Sequence, residues 1–417
     1  MTSRYGRDGP IRVVGMVSSA HFVSHIYLLA YPPLFPLIGR EFGLSTAQLG
    51  LLVTAIYVPT LCLQLPLGTV VDRIGAKQVL LGGLVVTAGA IGLSGLATTY
   101  WMLLAFALVS GIGQSVFHPA NYALLDSVTD VNSEGTAFSV HTFGGFAGFA
   151  AAPVVIGGVG IAVDWRVALL VAGSIGIVFA GVLALAMAPV HRHTIEKRNR
   201  DETGDESEMD AMAPVRELAS YVRQPDLVLV AVFYLLSMVA IVGLQSFTTV
   251  LAVDTQGFSE SAANTLLTAH LTCSAIGVLV GGPIADRVPF DRVIVIAFLL
   301  SATGVWLIAA GQSGVGFAAS FLLFSAVGLT IGSALPSRDK FANSMADPDA
   351  TGAAFGFFFT GLSLGAVLSP AILGMIIDRW STPVAFAVIG ASLVAAVAVI
   401  AVARVHQPVV TGKRGSN

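Results

Sequence analysis

The chain has 417 residues, of which 55% are hydrophobic and only 11% are charged, and its formal net charge is −3. Ordinary soluble domains carry about 25% charged residues, so this composition excludes a soluble globular protein and predicts a polytopic membrane protein. The two cysteines, Cys62 and Cys273, both fall within apolar runs. They therefore indicate no disulfide framework.

Twelve apolar segments follow one another along the chain, and each reaches about 20 residues, which is enough to cross a bilayer. The predicted fold class is an all-α polytopic membrane protein with twelve transmembrane helices. The segments cover residues 12–36, 47–70, 78–98, 101–124, 137–161, 166–190, 226–251, 262–284, 292–311, 315–337, 352–377 and 383–404.

Helix 1 carries His21 and His25 one helical turn apart, with Ser24 between them. Counting about 1.5 Å per residue, both histidines lie near the bilayer midplane and share a face. Polar side chains at that depth are costly and favour a functional site. Hydrogen bonding between helices is the alternative, and Ser24 fits it well.

Helix 2 contributes Tyr57 and Gln64 before a charged turn that leads into helix 3. This turn reads Gly68-Thr69-Val70-Val71-Asp72-Arg73-Ile74-Gly75-Ala76-Lys77. It could be only a solvated connector with cations at the membrane edge. A second copy of its Gly, Asp and Arg spacing follows helix 8 at Gly282, Asp286 and Arg287, without the later glycine.

Helix 4 is polar inside an apolar run, because Gln114, His118 and Asn121 lie within 101–124. Pro119 should interrupt the helix there, which is tolerated where the backbone lines a cavity or is buried in protein. Helix 5 adds His141. With His21 and His25, the polar groups of helix 4 are predicted to form the N-terminal share of a central cavity.

The second half repeats the first at a constant offset of 217 residues. Parallel six-helix repeats place a substrate site at their interface, near the midplane, and the sequence therefore predicts a cavity walled by helices 1, 4, 7 and 10. The matched pairs include Gly111 with Gly328, Pro119 with Pro336, Gly144 with Gly361, Gly148 with Gly365 and Pro153 with Pro370.

The predicted organisation is an N-terminal six-helix half over 1–190, a cytoplasmic linker over 191–225, a C-terminal half over 226–404 and a cytoplasmic tail over 405–417. The linker passes from a basic run to an acidic one. In the C-terminal half, the candidate polar groups are Tyr234, Gln245, His270 and Arg338. Helix 10 is expected to end at Ser337-Arg338-Asp339-Lys340, which places Arg338 toward the cytoplasmic mouth, where it can snorkel or capture an anion.

The charged turns and the repeat together resemble the major facilitator superfamily. The resemblance implies alternating access, with Gly68, Asp72, Arg73, Gly75 and Lys77 forming a latch that holds the outward-facing state closed on the cytoplasmic side. Gly282, Asp286 and Arg287 would be its second copy. The helix 4 run Gly-x-Gly-x-Ser-Val-Phe-His-Pro at 111–119 resembles fosmidomycin-resistance-type efflux proteins of that superfamily. The arginine that many drug/proton antiporters carry on helix 4 is replaced by Ala107.

Function is predicted as secondary transport of a small organic solute. No phosphate-binding loop of the Gly-x-x-x-x-Gly-Lys-Ser/Thr type occurs in the sequence, so the chain itself spends no ATP. The leading hypothesis is efflux, and the alternative is an importer or uncoupled facilitator of a small organic anion or sugar. An enzyme is not predicted, because His118 and His141 lack a third candidate metal ligand. A receptor or sensor on the same scaffold is a further alternative, which failed flux assays would support.

Coupling and orientation follow from the charged residues. Every Asp and Glu is assigned to a helix end or a loop, so proton coupling would have to use histidines, whose unperturbed titration falls near pH 6.5. No other cofactor and no bound metal are expected. Cytoplasmic termini leave only Arg40, Arg166 and Arg379 outside, as the positive-inside rule favours. We therefore expect a monomer in the cell membrane, with a small-molecule substrate, contacts to lipid and no nucleic-acid partner.

Overall fold

The computed structural model describes residues 9–129, 133–188, 221–311, 314–345 and 351–406. These residues form helices joined by turns, and twelve of the helical segments are long and apolar enough to cross a membrane. The predicted linker lies outside the described residues except for 221–225, and so does the tail beyond residue 406. The predicted all-α fold with twelve spans is confirmed.

The first six spans include three that are broken into shorter helical pieces. Span 1 combines helices Gly9–Leu28 and Phe35–Phe42 around a 3-10 turn at Pro32–Leu34, span 4 combines Tyr100–Gln114 and Phe117–Asp126, and span 5 combines Glu134–Ala152, a π turn at Pro153–Gly157 and Gly158–Ala162. Spans 2, 3 and 6 are the helices Thr46–Ile74, Ala76–Ser94 and Trp165–Ala186. A proline stands within three residues of each break, where it removes one amide hydrogen from the helical ladder.

The last six spans are more regular. Span 7 is Pro225–Val250 with a π turn at Leu251–Thr255, and spans 8 to 12 are Glu260–Arg287, Phe290–Ala310, Phe317–Met345, Thr351–Arg379 and Thr382–His406. The expectation that helix 10 ends near Lys340 is wrong, because span 10 continues to Met345. Arg338 and Asp339 are therefore helical residues, two turns before the end.

The glycine pairs matched by the repeat pack against the first helix of their own half. A Cβ atom at Gly144 or Gly148 would meet span 1 backbone at Ser18 or Phe22, and one at Gly361 would meet span 7 backbone at Ala231. Small residues let helices approach this closely. The sequence repeat is thus a repeat of packing, span 5 on span 1 and span 11 on span 7.

The two halves bind each other at the end of the molecule that carries Arg40. The Asp378 carboxylate of span 11 accepts hydrogen bonds from the backbone amides of Thr46 and Ala47 at the start of span 2, each at 2.8 Å. Arg40 forms an ion pair with Glu260 of span 8. Deeper in, Thr249 of span 7 donates to the carbonyl of Pro32 at 2.9 Å. These contacts close one end of the interface between the halves.

Candidate functional site

A cavity of about 260 Å³ lies between the halves. Spans 1, 2, 4 and 5 line it from the N-terminal half, and spans 7, 8, 10 and 11 from the C-terminal half. We call it the central cavity. Nine of the residues predicted for the site line it: His21, His25, Tyr57, Gln64, Gln114, His118, His141, Gln245 and Arg338.

Four histidines from three spans form one cluster on the N-terminal side of the central cavity. The His21 ring stacks on His141 with centroids 3.9 Å apart and meets His25 edge-on at 4.1 Å. His118 lies 5.6 Å from His21. Sequence spacing placed His21 beside His25, but only the packing of spans 4 and 5 on span 1 adds the other two.

Local hydrogen bonds hold the cluster in place. His25 Nδ1 lies 3.1 Å from the carbonyl of His21. Gln114 of span 4 donates from Nε2 to the carbonyl of Ser24 at 2.7 Å. Gly145 leaves room for the rings, since a Cβ atom there would lie 2.8 Å from His21 Nε2. The predicted role of Gln114 therefore includes positioning span 1 at its histidines.

Several ring nitrogens in this cluster are buried without a protein partner. They are Nδ1 of His21, Nδ1 of His118 and both nitrogens of His141. A buried polar atom without a hydrogen bond is costly, so these atoms favour a polar ligand or water in the cavity. Within the described part of the chain, no group of three or more His, Cys, Asp or Glu side chains is arranged to hold a metal ion.

Arg338 supplies the positive charge on the opposite wall. Its guanidinium lies over the ring of Tyr234, 4.6 Å from the centroid, and its Nε donates to Asp339 Oδ1 at 2.9 Å. Tyr234 donates its hydroxyl to the same oxygen at 2.8 Å. The guanidinium is thus oriented by one stacking contact and one of its five N–H groups, which leaves other donors for a ligand.

Asp339 corrects the expectation that every carboxylate sits at a helix end or in a loop. It lies within span 10 and lines the central cavity beside Arg338. Its position equals that of Tyr122 at the 217-residue offset, and Tyr122 also lines the cavity. The 217-residue repeat therefore pairs Tyr122 with Asp339 as cavity-lining residues, provided that helix 10 is continued beyond Lys340.

Three predicted site residues lie outside the lining of the central cavity. Tyr234 contacts Arg338 and Asp339, which do line it. His270 is buried between spans 8 and 10, with Nδ1 3.3 Å from the carbonyl of Phe324. Asn121 is fully buried, and neither its side-chain oxygen nor its nitrogen has a hydrogen-bond partner.

Aromatic side chains complete the walls and were not singled out from the sequence. Phe117, Phe146 and Phe149 line the N-terminal side and Phe359 lines the C-terminal side. In a chain with 24 phenylalanines, no local pattern separates these four from residues that face lipid. The cavity thus combines a histidine wall, an arginine with its carboxylate, and aromatic surfaces.

The charged turns lie at the end of the molecule opposite Arg40. Gly68, Asp72 and Arg73 belong to the last turns of the span 2 helix, Gly75 joins it to span 3 with φ +102°, and Lys77 lies in the first turn of span 3. In the second copy, Gly282 precedes Asp286, which accepts from Lys340 Nζ at 2.5 Å, and Arg287 ends the span 8 helix. Their role as a latch stays a prediction.

Comparison with known proteins gives a consistent family. The family model of the Major Facilitator Superfamily matches residues 17–266 and 233–416. The fosmidomycin resistance protein of Escherichia coli is 24% identical over 88% of this chain and 87% of its own length. The membrane sensor protein UhpC of Salmonella typhimurium is 26% identical over 83% and 80%. The probable sulfoacetate transporter SauU of Cupriavidus necator is 30% identical, over 40% of this chain and 38% of its own length.

Solved structures agree on the fold. A bacterial homologue of the human lysosomal transporter Spinster, solved in an inward-facing and unoccupied conformation, superposes with a TM-score of 0.70 at 16% identity, over 94% of this chain and 95% of its own. The matched family, the fold and the twelve spans agree with one another, and all three are those of membrane transporters rather than of enzymes. The chain is a member of the Major Facilitator Superfamily, a multi-pass membrane transporter of small solutes.

Proposed function

We propose that this protein transports small organic anions through the central cavity. The observation that supports this most is Arg338, a buried and always charged group that faces four histidines across the cavity. Planar guanidinium groups bind carboxylates through paired hydrogen bonds. Charged groups inside membrane spans mark substrate pathways by default.

The body of the substrate is proposed to be compact and partly apolar. Phe146, Phe149 and Phe359 offer apolar surface beside the polar groups, as ligand pockets commonly combine the two. Relatives named for sulfoacetate, D-galactonate and 4-hydroxybenzoate transport are all named for small organic anions. These names support an organic anion over a sugar as the substrate, the two classes that the sequence left open.

The direct test is a ligand panel on the purified protein, read as thermal stabilisation. Small carboxylates and sulfonates are expected to raise the melting temperature, because a ligand at 100 times its dissociation constant adds about 2.7 kcal/mol to the folded state. Neutral sugars of equal size are the control and should give no shift. Stabilisation by sugars alone would contradict the proposal. Stabilisation by anions with no flux in proteoliposomes would point to a sensor instead.

Proton coupling is proposed to use the histidine cluster. Protonation adds positive charge beside an anion, so anion affinity should rise as the pH falls through the range of about pH 5 to 8 in which histidines ordinarily titrate. His25→Gln keeps a polar side chain at this position and is expected to flatten that dependence. The measurement is the pH dependence of anion binding and of flux, and His270→Gln, which changes a buried histidine outside the cavity, is the matched control. A full pH profile in His21→Gln, His25→Gln and His118→Gln would favour an uncoupled facilitator.

Export is the direction we propose, because the helix 4 segment that resembles efflux proteins places Gln114, Phe117 and His118 in the cavity. Flux driven by a pH gradient of either sign decides between exchange for protons and co-transport with them. We further propose a monomer in the cell membrane with cytoplasmic termini, which needs no cofactor. Arg40, Glu41 and Arg166 lie together at one end, and that end is then the outer one.

A further inference from the structure

A second cavity of about 560 Å³ lies between spans 5 and 8 and adjoins the central cavity. We call it the side crevice. Both cavities are lined by Thr142, Phe146, Leu335, Arg338 and Asp339. Arg338 therefore stands where the two spaces meet.

The side crevice exists because spans 5 and 8 pack together over only part of their length. Ala152 of span 5 and Leu267 and Leu271 of span 8 are buried in one cluster. Nearer the charged turns, the space between the two helices is the crevice, with Phe143 of span 5 and Leu279 of span 8 on its walls. Both of these side chains are exposed at the surface of the bundle, which is the face that a membrane-spanning protein turns to lipid.

The chemistry of the walls changes along the crevice. Phe138, Phe143 and Val278 form an apolar and aromatic wall, and Asp286 and Arg287 line the crevice near the charged turn. Where the crevice meets the central cavity, it is lined by Arg338 and by Asp339, the carboxylate that pairs with Arg338. An apolar wall beside a guanidinium that keeps unused N–H donors matches a molecule with an alkyl tail and one acid group. The unused guanidinium donors of Arg338 and the continuity with the central cavity favour this occupant over an uncharged lipid.

We propose that the side crevice binds the alkyl tail of an amphipathic carboxylate whose acid group is held by Arg338, and that such substrates reach the central cavity sideways from the membrane. This inference rests on the proposed function and narrows its substrate class to monocarboxylates with a single unbranched tail. Because the tail leaves water for an apolar wall, each added methylene should tighten binding about fourfold until the crevice is filled.

The test is a series of unbranched carboxylates from acetate to decanoate, with binding to the purified full-length protein measured as thermal stabilisation over a range of concentrations. Ser139→Trp fills the crevice, because Ser139 lines it without lining the central cavity. Val140→Trp is the matched control, because Val140 is the exposed neighbour of Ser139 and lines neither cavity. The wild type and Val140→Trp should show the rise in affinity with chain length, and Ser139→Trp should lose it while binding acetate as before.

The outcomes separate this inference from the proposed function. Equal affinity for acetate and decanoate in the wild type, with acetate binding that depends on Arg338, would overturn the crevice site and leave the proposed function standing. A rise with chain length that survives in Ser139→Trp would also overturn it, since the tail would then lie elsewhere. Tightly bound phospholipid that co-purifies with the wild type and not with Ser139→Trp, without any chain-length dependence, would assign the crevice to structural lipid. Absence of binding by every carboxylate and sulfonate would defeat both proposals.

Discussion

Arg338→Gln is expected to weaken binding of an organic anion by roughly 30-fold to several-thousand-fold. This is the effect of removing one partner of a buried, hydrogen-bonded pair of charges, here the guanidinium and the bound anion. Glutamine keeps donors and helical propensity but removes the charge and the stacking on Tyr234. Arg338→Lys should give an intermediate loss, because lysine retains the charge without the planar fork. The dissociation constant of the anion that binds best in the panel is measured for the wild type, Arg338→Gln and Arg338→Lys.

A structural loss must be distinguished from a loss of ligand contacts in this experiment. Arg338→Gln leaves Asp339 without its ionic partner, although Tyr234 still donates to it. The double variant Arg338→Gln/Asp339→Asn removes both charges, and it should fold as the wild type does while still failing to bind. Arg379→Gln, at the opposite end of the bundle, controls for net charge. Anion affinity within a few-fold of wild type in the double variant would remove Arg338 from the site.

Asp378→Ala is expected to shift the protein toward the conformation that is open at the Arg40 end. Asp378 satisfies the amides of Thr46 and Ala47, while Ser45 caps the same helix by accepting from the amide of Gln48. Helix starts leave four amides unpaired, and loss of such a cap costs about 0.5 to 2 kcal/mol. A cost of about 1 to 2 kcal/mol, the upper part of that range, should therefore raise the ratio of open to closed protein at this end about fivefold to thirtyfold.

The measurement uses Ser363→Cys, which lies in the central cavity, and an impermeant thiol reagent on intact cells. Thr98→Cys, in the turn before span 4, shows that the reagent reaches the outer face if the termini are cytoplasmic. Labelling of Ser363→Cys should accelerate several-fold with Asp378→Ala. Glu260→Ala, which breaks the ion pair to the exposed Arg40, is the contrasting variant, since exposed ion pairs contribute only about 0 to 1 kcal/mol. Equal acceleration by both would show that the cap has no special role in closing this end.

The sequence by itself determined the architecture, because bilayer thickness dictates segment length and the 217-residue offset dictates two similar halves. It also predicted that polar groups of spans 1 and 4 face a cavity, since a polar side chain at midplane depth needs a partner or water. Of the five side chains predicted there, Asn121 lies outside the lining of the cavity. His21 and His25 share a face by helical periodicity alone. The residue pattern was sufficient to predict a feature wherever the interaction that decides it lies within one helix or between a helix and the membrane.

Only the tertiary structure decided how the helices meet. The stacking of His141 on His21 and the pairing of Arg338 with Asp339 and Tyr234 depend on contacts between spans. Periodicity places residues on a face but says nothing about which face of which neighbour it meets. The same reason separates His270 from the cavity, because its helix turns this histidine toward the carbonyl of Phe324. The side crevice is likewise a property of how two helices diverge, which no single helix sequence encodes.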